Sequence, residues 1–90
     1  YGYTEAEGLT MLTEYIAAAM KQAKYRTIED GTYFGDIPGF QGVWGNAKTL
    51  EECQIELREV LEEWLVLMLR DDQNVPAVDG IDLNRKPVRT

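Results

Sequence analysis

The chain contains no histidine, which removes imidazole base catalysis and the commonest nitrogen ligand for zinc. Its only cysteine is Cys53, so no intrachain disulfide forms and a thiolate zinc site lacks ligands. That usage suits a reducing compartment. No run of about 18 apolar residues exists, so no stretch is suited to crossing a bilayer as a helix. No charged-then-apolar leader opens the chain. The expected location is the cytoplasm. Positive charge is also scarce: 9 Lys and Arg stand against 16 Asp and Glu, for a net charge of −7. An acidic surface repels nucleic acid and anionic membrane and suits a basic partner. No GxxxxGK[ST], HExxH or DxD spacing occurs, and no strand–GxGxxG–helix order. The sequence therefore predicts no enzyme, no metal and no cofactor.

What remains is a 90-residue chain, 44% apolar, with two tryptophans. This composition predicts one folded domain with a thin core. Residues 1–8 read as a flexible arm or an expression remnant, 9–83 as a single α+β domain, and 84–90 as a flexible tail. Arg85, Lys86 and Arg89 in that tail read as frayed chain and not as a nucleic-acid contact.

Periodicity orders the elements as α-β-β-β-α-β. Leu12, Ile16, Met20 and Ala23 share one face of a helix over 9–24. Residues 25–29 read as a strand, Asp30-Gly31 as a hairpin turn, and 32–37 as the returning strand. On that strand Tyr33, Gly35 and Ile37 share one face, and Phe34 and Asp36 the other. Pro38 ends it, and 41–46 form a third strand, where Gly42 and Gly45 read as turn or bulge glycines. Thr49 and Glu52 make a helix-start box for a long helix from Leu50 to about Arg70. A second turn at Asp79-Gly80 leads to Ile81 and Leu83, a candidate edge strand. The result is a three- to four-stranded antiparallel sheet with the second helix on one face.

That second helix carries the candidate sites. Leu50, Cys53, Leu57, Val60, Leu61, Trp64, Leu65 and Met68 form its apolar stripe. Val66, Leu67 and Leu69 fall outside the stripe and predict an interface with another copy, as a dimer or tetramer; Ile55 falls outside it too. Glu56, Glu59, Glu62 and Glu63 predict an acidic contact surface for a cationic protein, with Asp36 and Trp44 as a secondary pair. Trp44 is read either as packed beneath the helix, the commoner arrangement, or as exposed on the outer sheet face. Cys53 reads as a small buried hydrophobe and not a nucleophile.

The run Gly31-x-Tyr33-x-Gly35-x-Ile37-Pro38-Gly39-Phe40-x-Gly42-Val43, followed by Thr49-x-x-Glu52, resembles the HicB-like antitoxin family. The likeness covers roughly residues 25–69. It implies a partial ribonuclease H-like fold, oligomers, and restraint of a small mRNA-cleaving toxin of the HicA type. Two departures stand out. Ala47 occupies a position where the family usually has glycine, and seven residues after Leu83 are too few for the DNA-binding segment many members carry. The function expected is a non-enzymatic antitoxin; the alternative is a stand-alone oligomeric scaffold. A metal-dependent nuclease is suggested only by the fold the resemblance implies.

Overall fold

Thr49 starts the longest element as its sequence requires. Its backbone is extended, and its hydroxyl accepts the Glu52 N–H at 3.1 Å. The Glu52 carboxylate then meets the Thr49 hydroxyl at 3.2 Å. The computed structural model describes residues 5–83. The elements are α1 (Glu5–Lys21), β1 (Lys24–Thr27), β2 (Tyr33–Asp36), β3 (Trp44–Ala47) and α2 (Leu50–Arg70). This is an α+β fold with the antiparallel order β1-β2-β3. The predicted arm is partly helical, since α1 starts at Glu5; residues 1–4 and the tail 84–90 lie outside the described residues.

Three boundaries move for local reasons. Lys24 leaves the first helix because it pairs with Asp36 in the sheet. Gln41 to Val43 turn instead of extending, because Gly42 has φ +86°. The candidate fourth strand shrinks to a single bridge, Val78 to Ile81, around a turn with positive φ at both Asp79 and Gly80. That is the backbone of a type I′ turn, and it stands apart from the sheet.

The link from β2 to β3 is two successive tight turns. Phe40 N–H donates to the Ile37 carbonyl at 3.0 Å, and Val43 N–H to the Phe40 carbonyl at 3.3 Å. Each turn has a positive-φ glycine in its third place, Gly39 and then Gly42. Every third residue therefore points inward, and Ile37, Phe40 and Val43 are all buried. They join Leu57, Leu61 and Leu65 of α2 with Tyr15, Ile16 and Ala19 of α1 in one core.

The sheet meets α2 through a row without side chains. Gly35 and Gly45 are direct cross-strand partners. Neither has positive φ, and the β2–β3 register is unbroken, so Gly45 is not a bulge glycine. It is a close-approach glycine: a Cβ there would lie 3.0 Å from the Leu57 nitrogen and 3.2 Å from the Cys53 carbonyl oxygen. A Cβ on Gly35 would lie 2.6 Å from the Tyr25 ring.

Helix α1 packs beside α2 and against the double turn, with the Tyr15 ring edge-on to Phe40 at 6.2 Å. Tyr15 is fully buried and absent from the predicted apolar face. Its hydroxyl donates to the Pro76 carbonyl, tying α1 to the segment after α2. Helix α2 ends with Gln73 N–H donating to the Met68 carbonyl and Asp72 N–H to the Leu69 carbonyl, with Asp72 at φ 57°. This Schellman-type stop turns the chain back so that Val75 and Val78 are buried.

The two glycines of the row differ in what obstructs them, and so in what they tolerate. Gly45→Ala lowers the unfolding free energy by about 1–3 kcal/mol, because the obstructing atoms are helix backbone. Gly35→Ala costs at least as much, because its methyl must displace the Tyr25 ring, which packs against the core, and meets the buried Cys53 sulfur at 3.3 Å; urea unfolding of the two variants gives the order. Burial, with Asp82 nearby, pushes the Tyr15 phenol up from 10.0 to about 12. The raised value means that stability from neutral Tyr15 is complete below pH 10 and disappears as pH rises through about 12. Tyr15→Phe loses about 1 kcal/mol near neutrality and flattens that alkaline decline, as read by circular dichroism across pH.

Candidate protein-docking surfaces

Alternation along β2 and β3 sends Gly35 and Gly45 toward α2, so Phe34, Asp36 and Trp44 belong to the opposite face. Trp44 is 52% exposed, which sets aside the reading that packs it beneath the helix. It stacks on Phe34 with ring centroids 5.6 Å apart, and the Arg26 guanidinium lies 4.6 Å from the centre of the Phe34 ring. Trp44 and Asp36 also border a cleft of about 540 Å³ walled by the double turn. Asp36 is half-buried at this rim, opposite Lys24 in the register.

The six predicted contact residues therefore divide between two surfaces. Asp36 and Trp44 sit on the outer sheet face, whereas the glutamates sit on α2, which covers the inner face. Of those glutamates, Glu56 is already engaged. Its Oε2 accepts the Asn46 N–H of edge strand β3 at 2.6 Å. The Asn46 side chain donates to the Thr32 hydroxyl and to the Tyr33 carbonyl, each at 2.8 Å. Thr32 in turn donates to Asp30 at 2.6 Å from its hydroxyl and 2.9 Å from its backbone. These bonds, led by the Thr32 hydroxyl, hold the Asp30 carboxyl below the usual carboxylate range. Glu56 is thus one end of a polar chain that runs from α2 through β3 to the start of β2, a role that only the β3 register reveals.

Glu59 and Glu63 are exposed on α2, and Glu62 forms an exposed ion pair with Arg58 at 3.2 Å. Val66 is 62%, Leu67 49% and Leu69 41% exposed, as their place outside the apolar stripe predicts. The structure adds that these are not separate patches. Glu62, Glu63, Val66 and Leu67 together line one shallow depression of about 420 Å³. Two of the four predicted contact glutamates and two of the three predicted interface residues thus share the same ground.

Cys53 is buried, and its thiol donates to the Gly45 carbonyl at 3.6 Å. Burial, reinforced by Glu56, pushes that thiol up, away from a reactive thiolate. Among the described residues no three Cys, Asp or Glu side chains gather as a metal ion requires, and no helix is long and apolar enough to cross a membrane. Arg26 and Phe34 were missed as candidate contact residues, although their strand alternation carries the signal. Glu56→Ala strands a strand amide and costs about 1–3 kcal/mol. Glu59→Ala stays within about 0.5 kcal/mol. Paired urea titrations separate the two roles.

The profile of the UPF0150-like family matches residues 14–76. The crystal structure of TTHA0281 from Thermus thermophilus is similar, with a TM-score of 0.80 and 35% identity over 87% of this chain and 96% of that one. No curated protein matches the sequence. The Pro38-Gly39 turns, the glycine row and the Thr49 start all lie within the matched span, and the chain belongs to the UPF0150-like family.

Proposed function

We propose that this chain is a non-enzymatic, antitoxin-like protein of the cytoplasm that binds and masks a small basic mRNA-cleaving toxin of the HicA type. The UPF0150-like family is the HicB-like antitoxin family that the motif run resembles, which supports the reading. The observation that carries it at the level of residues is the exposed side of α2. Glu51, Glu52, Glu59 and Glu63 are exposed there, and among the described residues Glu62 pairs with Arg58. Like charges at Glu59 and Glu63, one turn apart, cost an isolated helix about 0.2–0.5 kcal/mol. A cationic partner turns that cost into attraction. It also speeds encounter and competes with RNA for the same basic surface. Glu56 contributes to the field but is held by Asn46, so Glu59, Glu62 and Glu63 supply the contacts.

A second reading, a stand-alone oligomeric scaffold, draws on the exposed Val66, Leu67 and Leu69. A gene neighbourhood without any small basic reading frame favours it. Co-expression with the product of an adjacent small basic frame tests the first reading. The expected outcome is co-purification and relief of growth arrest. Full toxicity with no retained protein sinks it.

A further inference from the structure

The exposed side of α2 has a regular spacing. Ile55, Glu59, Glu62, Val66 and Leu69 follow one another at intervals of four, three, four and three. At 3.6 residues per turn they fall within an arc of about 80° and form a seam about 21 Å long. Ile55 and Val66 are 60% and 62% exposed, Leu69 41%, and Glu59 is exposed as well. This is the heptad spacing by which one helix receives another, and it lies on the side away from the buried Cys53, Leu57, Leu61 and Leu65. The seam is apolar at both ends and acidic in its middle. Lys21 and Arg58 flank its Ile55 end, in a groove between α1 and α2. Glu63 and Val66 border the depression toward its other end.

A second copy fits this seam poorly. In a parallel pair Glu59 meets Glu59 and Glu62 meets Glu62. In the antiparallel register that sets Ile55 against Val66, Glu59 meets Glu62. Among the described residues the flanking cations, Lys21 and Arg58, lie toward the Ile55 end, and Arg58 is paired with Glu62 on its own helix. Like charges facing each other at core positions are a device that selects against self-pairing. Charge complementarity asks instead for a helix with cations at the two central seam positions.

We propose that α2 is a receptor for an amphipathic helix of another protein, with Lys or Arg opposite Glu59 and Glu62 and apolar side chains opposite Ile55, Val66 and Leu69. The inference rests on the reading of this chain as a cover for a basic protein, and it names the surface and the shape of what is covered. A partner cation reaches carboxylates that have apolar side chains before and after them along the seam, so the pair is partly desolvated when the apolar ends close. The depression beside Val66 receives a side chain from the partner helix.

The test uses the full chain and a synthetic helix as long as α2, with Leu-Lys-Lys-Leu-Leu at the five seam positions. A twin peptide carries Glu in place of the two Lys. Isothermal titration at low and physiological salt reads affinity, and sedimentation velocity reads self-association. The expected result is that the Lys peptide binds at least tenfold more tightly than the Glu peptide. E59K/E62K should invert that preference, Val66→Asp should weaken the Lys peptide about tenfold, and Trp44→Ala should leave it unchanged. Equal binding of both peptides overturns the proposal, as does loss on Trp44→Ala. A wild-type dimer that Val66→Asp dissolves also overturns it and assigns the seam to a second copy. A natural basic partner that binds wild type and E59K/E62K equally overturns the seam and the glutamate contacts with it, but leaves the antitoxin role itself standing. A Lys peptide that binds while no adjacent basic protein does spares the seam and sinks that reading.

Discussion

The contact between the backbone of α2 and the side-chain-free row on the sheet sets the geometry of this small domain. A helix normally rests on side chains that hold its backbone off the sheet. Here Gly45 lets Leu57 and Cys53 backbone atoms come within the space a methyl group would fill. Close approach raises the number of dispersion contacts per buried residue, which matters in a chain with a thin core. It also brings Glu56 within reach of the Asn46 amide, so the outer edge of β3 is partly closed by the helix that lies beside it. The same approach brings the Cys53 thiol to the Gly45 carbonyl.

Charge is then distributed by default. The buried stripe takes Cys53, Leu57, Leu61 and Leu65, and the opposite side of α2 keeps the glutamates. The outer sheet face is different in kind, with Lys24, Arg26 and Asp36 around the Phe34–Trp44 stack. A small partner docked on one surface leaves the other uncovered, because the sheet and helix layers stand between them.

Much of the architecture was readable from local chemistry. The Thr49 cap and the apolar spacing gave α2 its observed ends, because both signals are confined to a few neighbouring residues. Gly31, with φ +84°, marked the first hairpin for the same reason. What escaped was non-local. Tyr15 owes its burial in part to Pro76, 61 residues away, which no helical period reports. Gly45 looked like a bulge because a strand glycine has no side chain to betray what lies over it. Glu56 looked like its neighbours Glu59 and Glu63 until the register of β3 placed an amide beside it. The face that Trp44 takes is set by its neighbour Gly45, which points at the helix and has no side chain to announce it.

The bond from Tyr15 to Pro76 closes the domain like a clasp, joining its first helix to the segment beyond its last. The stretch from Val75 to Val78 is therefore not an appendage. It seals the tyrosine from water on a side that α2 alone leaves open. A protease that cuts in the Schellman-type turn at Asp71–Gln73 would release this strap and hydrate a phenol ring at the centre of the molecule. The integrity of this short connection thus governs how well the interior of the first helix is kept dry.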